Sequence, residues 1–204
     1  TVTTTPTDLS DEQPTTVDTS KETSSDTKDD SNSEKSFGLT QKTADGTILQ
    51  CFSWSFNTIK DSLEDIALAG YSTIQTSPVN ACYNGGDAGT DLNGSGKWYY
   101  HYQPTDWTIG NYQLGTKEEF KSMCEEADKY GIKVIVDVVP NHTTKSTEAL
   151  GEGLLNAVGG IDNLYHKKGK DEVSNYKDRG ECTHQAVGGL FDVNTENIAF
   201  QNYF

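Results

Sequence analysis

A chain of 204 residues is long enough for one domain with its own hydrophobic core. Its formal charge of −15 at pH 7 argues against nucleic acid as a partner, because phosphate binding needs a basic surface, and suits a neutral ligand or a cation better. No apolar run approaches the ~18 residues needed to cross a bilayer, and the four cysteines have no C-x-x-C spacing, so zinc is not expected.

Residues 1–36 form a regime of their own. Thr and Ser alternate with Asp and Glu, and no aromatic occurs before Phe37. Such a segment cannot bury enough apolar surface to offset its ordering entropy, so a disordered acidic linker is expected. Met123 is the only methionine, which predicts that residue 1 is no translation start; a lost signal peptide is compatible with that.

Residues 48–52 read as a first strand. Asn57 is the expected cap of a helix that puts Ile59, Leu63, Ile66 and Ala67 on one face, with Gly70 placed to stop it. Residues 71–76 give a second short strand ended by Pro78, and a long Gly-, Asn- and Asp-rich loop with an aromatic cluster follows. Inside that loop, Asp91-x-Asn93-x-Ser95-Gly96 imitates the start of an EF-hand. No helix precedes it, and Tyr102 stands where the glutamate should be, so it reads as a plain glycine-rich loop. Thr116-x-x-Glu119 makes a capping box opening a helix with Phe120, Met123, Cys124 and Ala127 inward, and Gly131 ends it. Cys51 and Cys124 read as small buried hydrophobes, while a Cys82–Cys182 disulfide stays open.

The stretch 133–142, Lys-Val-Ile-Val-Asp-Val-Val-Pro-Asn-His, is the most informative. Its β-branched run predicts a strand buried on both faces, as in parallel sheets. Asp137, Asn141 and His142 cannot serve packing, because each needs polar partners. At the carboxyl end of a barrel strand they would form an active-site rim. Strand–helix alternation predicts right-handed crossovers and a parallel sheet. After His142 the periodicity weakens over about sixty residues, too many for a structureless loop, and an inserted subdomain is expected. Three strands do not close a sheet, whereas a barrel uses ~250 residues, so the expectation is the front portion of a larger α/β protein.

Several segments carry a family resemblance: Leu49 to Asn57, Gly70 to Pro78, the aromatic run Trp98-Tyr99-Tyr100-His101-Tyr102-Gln103-Pro104, Asp137 to His142, and Gly189 to Asn197. In this order they resemble the α-amylases of glycoside hydrolase family 13, the secreted bacterial ones most. The resemblance implies the N-terminal portion of a TIM (β/α)8 barrel with a subdomain inserted after the third strand. Residues 37–142 would be the first three βα units, and 143–204 a truncated calcium-binding insert. It also implies an extracellular, monomeric enzyme that cleaves internal α-1,4 bonds of starch or a related α-glucan.

Sugar rings present flat C–H faces with hydroxyl rims, so a glycan cleft needs flat apolar platforms with polar neighbours. Trp98, Tyr99, Tyr102 and Gln103 supply both. By resemblance Tyr102 stacks on the sugar at the cleaved bond, Trp98, Tyr99 and Gln103 line adjacent subsites, and His142 contacts the substrate beside them. Asp137 would support its polar neighbours. By the same resemblance Asn141, Asp192 and a carbonyl near Thr183 would hold Ca2+, which takes about six to eight oxygen ligands. Pro140 departs from the family's usual Ile or Ala, and Phe191 and Val193 are altered neighbours of Asp192.

A retaining glycosidase needs two carboxyl groups ~5–5.5 Å apart. In the family they follow the fourth and fifth strands, so no catalytic residue is expected in this chain, and the fragment alone is expected to be inactive. The rival reading is a non-catalytic glycan-binding protein or adhesin on an amylase-like barrel. A different sugar-active barrel is a third.

Overall fold

The computed structural model describes residues 37–85 and 97–204. The acidic segment 1–36 and the EF-hand-like stretch 91–96 lie outside the described residues. Strands β1 (Ile48–Cys51), β2 (Thr73–Thr76) and β5 (Lys133–Val136) form a parallel sheet in that order, with Ile48 opposite Thr73 and Thr73 opposite Lys133. Helix α1 (Phe56–Leu68) leads from β1 to β2, and α2 (Lys117–Lys129) leads into β5. Parallel neighbours need such crossovers. The helices bury their apolar stripes on the sheet, giving a core of Cys51, Phe56, Ile59, Leu63, Ile74, Met123 and Ala127. Phe56 meets Phe120 edge-on at 5.1 Å, joining α1 to α2.

The cap of α1 is Ser55, not Asn57. Ser55 Oγ accepts from the Thr58 amide at 3.1 Å, while Asn57 lies inside the first turn and donates to Glu119 Oε1. The reason is tertiary. Phe56 is fully buried and its amide donates to the Leu114 carbonyl at 2.8 Å, so winding starts one residue after Ser55. Ser55→Ala is expected to cost about 1 kcal/mol, read as a lower urea midpoint at unchanged slope; an unchanged midpoint would mean that water replaces the cap. The Thr116–Glu119 capping box is present with both of its bonds, and Gly131 ends α2 at φ 71°, which a side chain would disfavour.

Two sequence readings need correction. β5 is not covered on both faces: Val134 and Val136 pack against the core, whereas Ile135, which alternation puts on the opposite face, is exposed. The loop assigned after Pro78 contains an antiparallel pair, β3 (Asn80–Cys82) with β4 (Pro104–Ile109), in which Asn80 faces Ile109 and Cys82 faces Pro104. All four cysteines are free, so no bond joins Cys82 to Cys182. Burial pushes the Cys51 thiol up to about 11 and Cys82 up to about 12, which keeps both protonated and unreactive at neutral pH.

A second apolar cluster begins beyond His142. Leu150, Leu154, Val158, Leu164, Tyr165, Val193 and Phe200 pack together. They come from short elements, α3 (Glu152–Val158), α4 (Ile161–Leu164), α5 (Arg179–Cys182) and α6 (Ile198–Tyr203), with the two-residue pair β6 (His142–Thr143) and β7 (Phe191–Asp192). Tyr203 donates its hydroxyl to Asp106, Trp107 donates its indole N–H to the Val139 carbonyl at 3.0 Å, and Trp107 meets Phe200 edge-on at 4.9 Å. Polar and aromatic contacts thereby tie this lobe to β4 and to the chain after β5. Among the described residues, no helix is long and apolar enough to cross a membrane.

Candidate functional site

The predicted aromatic segment winds as a 3-10 turn, Trp98–Tyr102. Trp98 is 51% exposed and Tyr99 is exposed beside it, whereas His101 is fully buried. The Trp98 ring stands edge-on to Tyr99 at 6.0 Å and to Tyr102 at 6.2 Å, and Phe52 lies 6.1 Å away, tilted. Exposed apolar rings held by one another are rigid and pay little entropy on binding a flat ligand.

Phe52 was not singled out from sequence. It joins the cluster because the chain turns sharply after β1: Ser53 takes φ 62°, and its amide donates to Ser77 Oγ at 2.9 Å. A serine in the left-handed region is uncommon and costs backbone energy. The signal was a Ser-rich, aromatic stretch directly after a strand. Burial without a partner for either ring nitrogen among the described residues lowers the His101 pKa to about 4, so that ring is neutral.

Tyr102, Asp137 and His142 meet. The Tyr102 hydroxyl donates to the Asp137 carboxylate; burial first and then this neighbouring charge hold the phenol proton on more tightly than usual. His142 Nε2 lies 2.9 Å from the Tyr102 carbonyl. A carbonyl only accepts, so Nε2 carries the proton and Nδ1 faces Asn141 Nδ2 at 3.5 Å as an acceptor. Gln103 accepts from Thr144 Oγ1 at 3.4 Å, and its carbonyl takes the Tyr83 amide. One side chain from the carboxyl end of β5, one from β6 and the aromatic turn thus converge, as strand-end chemistry requires.

The antiparallel β6–β7 pair sets His142 opposite Asp192 and brings Asn141 alongside, with the Val193 amide donating to the Asn141 carbonyl at 2.9 Å. Asp192 is 2% exposed. Burial raises its pKa; a bond from His166 Nδ1 to its Oδ2, 2.5 Å long, pulls the other way. Thr183 follows α5, beside His184, whose ring lies 4.4 Å from that of His166. Asn141 and Asp192 are therefore neighbours, and Thr183 reaches them through the two histidines. His166 and His184 were not foreseen, since isolated histidines 18 positions apart carry no spacing signal.

The sequence profile described as "Alpha amylase, catalytic domain" matches residues 23–178. An α-amylase of Butyrivibrio fibrisolvens is 57% identical over 161 residues, covering 78% of this chain and 16% of the relative. One of Clostridium acetobutylicum is 39% identical over 169 residues, covering 80% and 20%. The chain therefore spans a fifth or less of the length of these two relatives. Among solved structures, α-amylase I of Eisenia fetida superposes with a TM-score of 0.61 at 21% identity, over 78% of this chain and 33% of that one. The Geobacillus thermoleovorans α-amylase solved with acarbose gives 0.58 at 21% identity, over 78% and 35%. These structures share the fold begun here by β1, β2 and β5. By the profile match and both identities, the chain belongs to the alpha-amylase family and carries part of its catalytic domain.

Proposed function

We propose that this chain contributes the sugar-binding rim of an α-amylase that cleaves internal α-1,4 bonds of starch-like glucans with retention. The observation that carries this reading is the meeting of Tyr102, Asp137 and His142 beside an open cluster of aromatic rings. In the proposal Tyr102 stacks on the sugar at the cleaved bond, Trp98 and Tyr99 extend the platform, and Gln103 and His142 address hydroxyls. Asp137 acts through Tyr102, orienting its ring; bonded to that hydroxyl, it is not assigned as nucleophile or acid. Those two carboxylates are proposed to come from later strands of the barrel. Binding of acarbose by the Geobacillus relative, and of maltohexaose by an Eisenia fetida variant, supports an α-glucan ligand.

Calcium belongs to the same proposal. Asn141, Asp192 and the Thr183 carbonyl are oxygen donors of the kind calcium takes, and Asp192 is a buried carboxylate beside Asn141. His166 occupies one of its two oxygens. A bound ion would pin the lobe at 143–204, treated as an insert with its own core, to the strand ends at 37–142. Residues 1–36 would be an acidic spacer of an extracellular, monomeric protein.

The full-length protein is expected to release maltose-sized and larger products from amylose and nothing from sucrose, followed by reducing-sugar assay and chromatography. Binding to amylose without cleavage would leave a non-catalytic glycan binder instead.

A further inference from the structure

We infer that the lobe carries a nitrogen-rich cation site, His166, His184 and Glu196, suited to a zinc-class divalent ion and joined to the oxygen set around Asn141 and Asp192 by the His166–Asp192 bond. One ligand atom from each of the three lies within 4.8 Å of the others. The His166 side chain is nine-tenths buried, 10% exposed, and its Nε2 has no hydrogen-bond partner. Glu196 Oε2 stands 3.8 Å from that nitrogen, too far for a hydrogen bond.

The tautomers favour a metal. His166 Nδ1 is bound to the Asp192 carboxylate, an acceptor, so the proton sits on Nδ1 and the lone pair on Nε2. His184 Nδ1 lies 2.8 Å from the Thr183 hydroxyl, which already donates to the Arg179 carbonyl, and 3.1 Å from the Gly180 carbonyl, which can only accept, so Nδ1 carries the proton and Nε2 the lone pair. Ligating histidines characteristically donate their other N–H to a carboxylate or a backbone carbonyl, which fixes tautomer and ring orientation. Both partners are in place here. An acceptor at each Nδ1 and an unpartnered Nε2 facing a glutamate is a prepared ligand set, not a hydrogen-bond network.

The donors also select the ion. Calcium takes oxygen, whereas zinc accepts imidazole nitrogen and carboxylate oxygen at ~2.0–2.2 Å, often three protein ligands with a fourth position open. His184 and Glu196 are exposed, and each offers a ligand atom toward an ion at His166 Nε2. A cavity of about 580 Å³ lined by His166, His184, Asp178 and Glu181, and also by Lys167 and Lys168, whose charges oppose a cation, supplies the way in. His166 follows α4, His184 follows α5 and Glu196 follows β7, so one ion would tie three loops of the lobe together.

The test is a titration of the chelator-stripped full-length protein with Zn2+ and then Co2+ in excess calcium. One Zn2+ per chain is expected, and Co2+ should show the visible bands of a low-coordinate nitrogen and oxygen site. His184→Ala and Glu196→Gln lie at exposed positions; each is expected to weaken Zn2+ binding at least ~10-fold and His184→Ala to erase the Co2+ bands, with unchanged far-ultraviolet circular dichroism. Any of three results overturns the assignment: no Zn2+ bound by the unaltered chain, undiminished affinity in both variants, or displacement of Zn2+ by calcium. The last would put the ion in the oxygen set.

Discussion

Asp192→Ala is expected to destabilise the chain by about 3 kcal/mol, read as a lower urea midpoint by circular dichroism. Two terms add. The substitution leaves the buried His166 Nδ1–H without its acceptor, in a ring whose Nε2 already has no partner; an unmet buried donor costs about 1–3 kcal/mol. It also removes a side chain that is only 2% exposed at the β6–β7 junction. One term opposes them, because burial disfavours the Asp192 charge and its removal recovers part of that cost. The pairing outweighs the relief, since a hydrogen bond to a charged group is typically worth about 1.5–3 kcal/mol. Asp192→Asn keeps the shape and an acceptor oxygen and should cost about 1 kcal/mol. A loss below ~1 kcal/mol in the alanine variant would show that the pair is energetically neutral. In the full-length protein the same variant should lose any rise in Tm on adding calcium.

Tyr102→Ala is expected to lower kcat/KM of the full-length enzyme on maltooligosaccharides about 100-fold, a loss near 2.7 kcal/mol of transition-state stabilisation. The ring is one wall of the platform, 6.2 Å from Trp98, and its hydroxyl holds Asp137. Alanine removes the wall and frees the carboxylate. Tyr102→Phe keeps the wall and loses only the hydroxyl contact with Asp137, which positions the ring and does not touch the sugar, so its fall should stay within about tenfold, ~1.4 kcal/mol, the size of an ordinary net hydrogen bond. Equal losses in the two variants would move the effect from stacking to the hydroxyl. Near-wild-type activity of the alanine variant would remove Tyr102 from the cleft.

Local signals were legible wherever the partner lies a few residues away. The Thr116–Glu119 capping box spans three positions, and the buried stripe of α1 repeats within one helix. Both follow from backbone geometry that sequence spacing encodes directly. The polar end of β5 could be read in the same way, as residue types that packing alone cannot use. The choice of Ser55 over Asn57 could not be read. Both residues cap well, and only the bond from the Phe56 amide to Leu114, 58 positions away, decided between them. β3 and β4 were missed because their register depends on a partner more than twenty residues distant.

By itself, the sequence determined the class of protein: parallel strands with crossover helices, an aromatic run, and a polar strand end that resembles one enzyme family. What only the tertiary structure decided is which distant groups touch. β6 and β7 have two residues each, too few for any periodicity, yet their pairing carries Asn141 and His142 to Asp192 across fifty positions. The Asp192–His166 bond and the gathering of His166, His184 and Glu196 depend on that pairing and on the second apolar cluster. Contacts of this kind arise from loop closure and burial over long separations, and no spacing rule along the chain records them.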